Sequence, residues 1–189
     1  MVSAAGAPGA GGASAQLAGR RAVVATGGMP IGSQLVQGLM RHGAQVVEIA
    51  TVFTSKAQAD AALAKAARDI GDADLIVHAA ATPAALVVRD LEALTPAEWQ
   101  ASVHQSVLAT LFCLQAAHGV QRERGGAVVV VGPSTALVGA AGLLPLMTLT
   151  EAQRTLVKSA ARQWGALGMR LNWVGIAPRS YDPVSYTHL

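Results

Sequence analysis

Cysteine is almost absent from this chain: Cys113 is the one thiol in 189 residues. That excludes a disulfide framework and a cysteine-based zinc site. Aromatic residues make up only 4%, so the core has to be built from Ala, Val, Leu and Ile. Charged residues amount to 13%, about half the usual share of roughly 25%. A charge-laced helical surface is therefore excluded, and the chain must bury elements on both faces or hide surface against a partner. The five histidines, His42, His78, His104, His118 and His188, show no i, i+4 pair, so no metal site is expected. The net charge of +3 is a weak excess. Arg20 and Arg21 are adjacent, but no basic stripe with interleaved aromatics follows, which argues against nucleic acid as a partner.

What is present is apolar: 52% hydrophobic residues, too many for a chain disordered throughout. The length suits one domain with a real core and is short for two. Residues 1–16 are mostly Ala, Gly and Ser and read as a flexible tail. They lack the basic start and apolar core of a signal peptide, so a cytoplasmic location is expected. Residues 125–150 carry no charge. A membrane span there is disfavoured, because Gly132-Pro133, Ser134, Thr135 and Pro145 interrupt the run and Val128 to Val131 favours a strand.

The periodicity alternates along the chain. Short apolar runs at 21–26, 45–49, 74–79, 127–131 and 170–176 read as strands. Helical spacing lies between them, at 31–42, 58–70, 95–121 and 146–167. Thr95-Pro96-Ala97-Glu98 is a helix-start signature with an N-cap, a proline at the first position and a glutamate three residues on. Apolar, non-alternating strands separated by helices imply a parallel sheet covered on both faces. The glycines after the first strand predict a doubly wound, nucleotide-binding type of α/β fold.

Several segments resemble the short-chain dehydrogenase/reductases. Thr26-Gly27-Gly28-Met29-Pro30-Ile31-Gly32 resembles that family's glycine-rich turn, and Asp74 to Ala81 its strand ending in Asn-Asn-Ala-Gly. Thr95 to Trp99 resembles the start of its long interface helix, Gly126 to Val131 the strand before the catalytic serine, and Gly168 to Asn172 a late Gly-Ile-Arg-Val-Asn strand. The likeness spans about residues 17–178, within a domain expected over residues 17–182. It implies a single Rossmann-like domain with three αβα layers, incomplete at its C-terminus, and NAD or NADP as cofactor. Thr26, Gly27, Gly28, Ile31, Gly32, Ala79 and Ala80 fall at the cofactor-binding positions.

The departures from the family pattern are specific. Pro133 falls at the serine position, Leu146 thirteen residues on at the tyrosine position, Thr150 where the lysine stands, and Ser106 where the asparagine stands. Proline and leucine transfer no proton. Ser134 offers a hydroxyl one position late. Tyr181 and Tyr186 lie far along the chain from position 146, and Lys158 is turned roughly 80° around the helix from the lysine face. The glycine turn is one residue short, and Pro30 removes a phosphate-binding N–H. The stretch from Gly43 to His78 is shorter than in the family, with a helix and strand missing near residues 51–57, where the adenine pocket belongs. These features weigh against cofactor binding and predict a catalytically inactive member: a partner or regulatory subunit, or the inert domain of a longer reductase. The alternative is an active NAD(P)-dependent oxidoreductase with displaced catalytic groups.

The resemblance also implies a homo- or hetero-oligomer paired through two helices. Leu108, Leu111, Phe112 and Leu114 on one, with Leu149, Leu156 and Val157 on the other, are the candidate contacts, and some of them are simply core. Val184 to Leu189 matches a translation of a transposon end used in preparing sequencing libraries, so residues 183–189 are expected to be non-native.

Overall fold

The computed structural model describes residues 15–181, so the expectations for residues 1–14 and 182–189 fall outside it. The strands are β1 (Arg21–Ala25), β2 (Gln45–Ile49), β3 (Leu75–His78), β4 (Gly126–Pro133) and β5 (Met169–Ile176). Among the described residues they form one sheet in the order β2-β1-β3-β4-β5. All four pairings are parallel. Strands rich in Val and Ile, without alternation, are what a sheet covered on both faces requires.

The helices are α1 (Gly32–Arg41), α2 (Lys56–Asp69), α3 (Pro96–Trp99), α4 (Gln105–Gln121), α5 (Leu144–Trp164) and the single turn α6 (Pro178–Tyr181). Right-handed crossovers put α1 on one face and α2, α4 and α5 on the other. The buried residues divide the same way. Val23, Ala25, Ile76, Val128 and Val130 pack with Ala59 and Leu63 of α2, Ala109 and Cys113 of α4, and Val157 of α5. Val24, Val77 and Val131 point to the opposite face, with Leu35, Val36 and Leu39 of α1. The result is a Rossmann-like αβα sandwich.

Local signals explain the boundaries. Thr95 and Glu98 form the reciprocal capping box: Thr95 N donates to Glu98 Oε2 at 2.9 Å, and Glu98 N to Thr95 Oγ1 at 3.2 Å. These bonds, with Arg89 beside it, pull the Glu98 carboxyl down to about 2. Residues Gln100–His104 form a π-helical turn that joins α3 to α4 in one continuous rod. At the far end, Gly168 takes φ 72° to turn the chain from α5 into β5.

The sheet begins at β2 with no strand beyond it among the described residues, and α2 alone connects β2 to β3. This is the architecture expected from the short stretch between Gly43 and His78. The interface candidates separate on burial. Leu114, Leu149 and Val157 are the ones that are core within this one chain. Leu108, Leu111, Phe112 and Leu156 stay half-buried.

Candidate functional site

In an open α/β sheet, ligands bind outside the carboxyl ends of the strands, where the strand order reverses. Here that point lies between β1 and β3. Thr26 follows β1, and its hydroxyl donates to Glu48 Oε1 at 2.8 Å and accepts from Gly28 N at 3.3 Å. The carboxylate of Glu48 is thus engaged inside the turn. Gly27 and Gly28 hold φ values of 58° and 76°. A Cβ on Gly27 would lie 2.7 Å from the Ala80 methyl and 2.9 Å from Val52 Cγ2, so this glycine serves close packing against the protein itself. Ile31 is buried and caps α1 without a side-chain hydrogen bond, and Gly32 opens the helix.

Ala79, Ala80 and Ala81 follow β3, all buried. Ala79 N donates to Ala25 O at 3.0 Å, extending the β1–β3 ladder. The resulting floor is small-sided and brings together all the residues expected at the cofactor positions.

The four residues that the resemblance puts at the family's catalytic positions are all buried. Pro133 ends β4 and is buried. Leu146 is fully buried, in an apolar cluster with Leu143, Leu149 and Tyr181. Thr150 donates its hydroxyl to Leu146 O at 2.7 Å, and its methyl faces Gly132, where a Cβ would come within 2.9 Å. The Trp173 indole covers the same glycine. Ser106 donates to Ser102 O at 2.6 Å and accepts from Thr82 N at 3.0 Å. Its hydroxyl is spent on pinning the loop after β3 to α4. Ser134 sits half-buried at the start of a short 3-10 turn, and Lys158 is exposed on α5, off the buried side that carries Thr150.

Beneath the crevice runs a buried polar link that periodicity could not reveal. His78 Nε2 lies 3.0 Å from Thr110 Oγ1. Gln153 Nε2 donates to Thr110 Oγ1 at 2.9 Å and to Ala80 O at 3.3 Å. Complete burial pushes the His78 imidazole down to about 4, so it is neutral at pH 7. Burial pushes the Cys113 thiol up to about 12, which leaves it an inert packing group. His104 is exposed, while the ring of His118 lies 4.8 Å from that of Trp164. Among the described residues, no group of three or more His, Cys, Asp or Glu is placed to hold a metal ion. No helix among them is long and apolar enough to cross a membrane.

Tyr181 corrects a sequence expectation. Far along the chain from Leu146, it nevertheless joins the same apolar cluster, fully buried, with Oη donating to Ala79 O at 3.4 Å. The reason is topological. β5 lies beside β4, so the turn after β5 folds back across the end of β4 and delivers residue 181 into the crevice.

The fit to a dinucleotide is divided. The uncapped N-terminus of α1 and the two left-handed glycines suit a pyrophosphate. The crevice beyond the end of β3, in contrast, holds the chain's own Tyr181 ring, in one apolar cluster with Met29 and Leu143.

A parallel sheet with a glycine turn at its switch point defines a dinucleotide-fold protein. Comparison with known proteins narrows the class. A family profile described as Enoyl-(Acyl carrier protein) reductase matches residues 9–180. The chain belongs to the short-chain dehydrogenase/reductase family. It is 27% identical over 179 residues to D-xylose 1-dehydrogenase of Caulobacter vibrioides, covering 84% of this chain and 71% of that protein. It is likewise 27% identical over 188 residues to gluconate 5-dehydrogenase of Gluconobacter oxydans, covering 86% and 71%. In fold it resembles a short chain dehydrogenase from Mycobacterium smegmatis, with a TM-score of 0.78, 18% identity, and 95% and 84% of the two chains covered. It also resembles ElxO with NADP bound, with a TM-score of 0.72, 17% identity, and 82% and 72% covered.

Proposed function

We propose that this chain is a non-catalytic member of the family, acting as a partner or regulatory subunit, or as the inert domain of a longer reductase. One observation carries the reading: laid over the family's motifs, the sequence puts Ser106, Pro133, Leu146 and Thr150 where its proton-transfer groups are expected. Two of these side chains have no exchangeable proton, and the other two hydroxyls donate to carbonyls of their own helices. The half-buried line of Leu108, Leu111, Phe112 and Leu156 supplies an apolar surface for a second family-type subunit. The cytoplasm is the expected location, with neither nucleic acid nor membrane as partner.

A second reading is favoured by the half-buried Ser134 next to Pro133. In it the chain is an active NAD(P)-dependent oxidoreductase with displaced catalytic groups, working on carbonyl or alcohol substrates of the kind named for its sugar-oxidising relatives. Assaying the purified full-length protein for carbonyl reduction with NADH and NADPH separates the two. The non-catalytic reading expects a rate equal to the protein-free control. Ser134-dependent turnover supports the second. Light scattering on the same sample checks the partner surface, for which a mass of at least two chains, reduced by Phe112→Asp, is expected.

A further inference from the structure

The route of the chain after β5 carries a consequence for ligand entry. α6 follows the last strand of the sheet, yet the Tyr181 hydroxyl reaches Ala79 O beyond the end of β3, two strands away. The carboxyl end of β4 lies between them and is covered. Ala79 and Ala81, which follow β3, share the apolar cluster of the ring, so small side chains line the recess that receives it. Tyr181 is fully buried there, among the largest side chains of the molecule with no exposure. It stands at the reversal of strand order, where open α/β sheets bind their ligands.

We propose that α6 is a built-in plug: Tyr181 occupies the nicotinamide side of the crevice, and a dinucleotide enters only when this residue leaves. α6 is a single turn, with Tyr181 N bonded back to Ala177 O at 3.3 Å, so it can swing out without disturbing β5. The α1 terminus and the glycine turn stay in place to hold the pyrophosphate. The plugged state dominates in the free protein, which weakens apparent affinity by the fraction of molecules that are open. Removing a buried aromatic side chain removes that competition, and the affinity should rise by about tenfold or more.

The inference shares with the proposed function only the identity of the crevice, and its test reads binding instead of turnover. Fluorescence titration with NADH and with NADPH compares the full-length wild type with Tyr181→Ala, Tyr181→Leu and Tyr181→Phe. Circular dichroism establishes that each variant is folded. The expected result is at least tenfold tighter binding of one nucleotide by Tyr181→Ala, with Tyr181→Phe indistinguishable from wild type because it keeps the ring. If Tyr181→Ala fails to fold, Tyr181→Leu, which keeps an apolar side chain and loses the outer ring, is judged by the same criterion at a threefold change. Folded variants that bind no tighter than wild type overturn the plug. So does a wild type that binds nucleotide with Tyr181 still buried, read by fluorine NMR of 3-fluorotyrosine protein carrying Tyr186→Phe. Tight binding without turnover leaves both proposals standing. Tight binding with turnover keeps the plug and defeats the non-catalytic reading.

Discussion

His78 and Thr110 meet through one hydrogen bond of 3.0 Å between imidazole Nε2 and Oγ1, both residues fully buried. The proton count follows from the neighbours. Thr110 Oγ1 also lies 3.1 Å from Ser106 O, to which it donates its single proton. It therefore accepts from both Gln153 Nε2 and His78 Nε2, and the proton of His78 sits on Nε2. His78 Nδ1 has no hydrogen-bond partner, which a bare lone pair tolerates better than an N–H would. One hydroxyl thus ties β3, α4 and α5 together under the crevice.

Acid should loosen the fold through His78. Its folded value is about 4 against an ordinary 6.5, so between these pH values the unfolded chain binds the proton that the fold refuses. Stability is complete above pH 6.5, declines as pH falls through this window, and levels off near 4. The full loss from this residue is about 3 kcal/mol. Urea unfolding from pH 7 to pH 4 should show this slope, and His78→Asn should flatten it. Glu98 acts in a lower window, between 4.5 and 2, and so does not mask the effect.

Thr110→Val removes the shared hydroxyl at nearly constant volume. The His78 Nε2 proton is then left without an acceptor in a dry site, and Gln153 keeps only Ala80 O. The expected cost is about 1–3 kcal/mol, read as a lowered denaturation midpoint. Thr110→Ser restores the hydroxyl and should recover most of the loss.

Gly27→Ala forces a methyl into the 2.7 Å gap to Ala80 at a φ of 58°. Left-handed backbone and overpacking both count against it, for a loss of about 2–4 kcal/mol in chemical unfolding. Gly19 also has positive φ, but no atom lies within 4 Å of its added Cβ. Gly19→Ala should therefore cost only the backbone part, and the difference between the two variants isolates the contact with Ala80.

The sheet was legible because its strands are short apolar runs, mostly rich in Val and Ile, separated by stretches of helical spacing. Thr95 and Glu98 announce the start of a helix, and the structure closes that box as read. The short stretch between β2 and β3 agrees with the single helix, α2, that joins them. Burial direction was not legible. Leu114, Leu149 and Val157 share their residue type and helical spacing with Leu108 and Phe112, and only the placement of the sheet separates core from surface. The buried link of His78, Thr110 and Gln153 joins residues 32 and 43 positions apart, with no local period to mark it. Tyr181 was misjudged for a related reason. Distance along the chain says nothing of a turn that folds back over the neighbouring strand.

Steady-state turnover of the full-length protein tests the central claim most directly. A panel of aldehydes and ketones is offered with NADH and with NADPH, and consumption of reduced nucleotide is followed. If Pro133, Leu146 and Thr150 hold the proton-transfer positions, as proposed, the rate should match the protein-free control for every pair. Saturable turnover that disappears in Ser134→Ala would contradict the account.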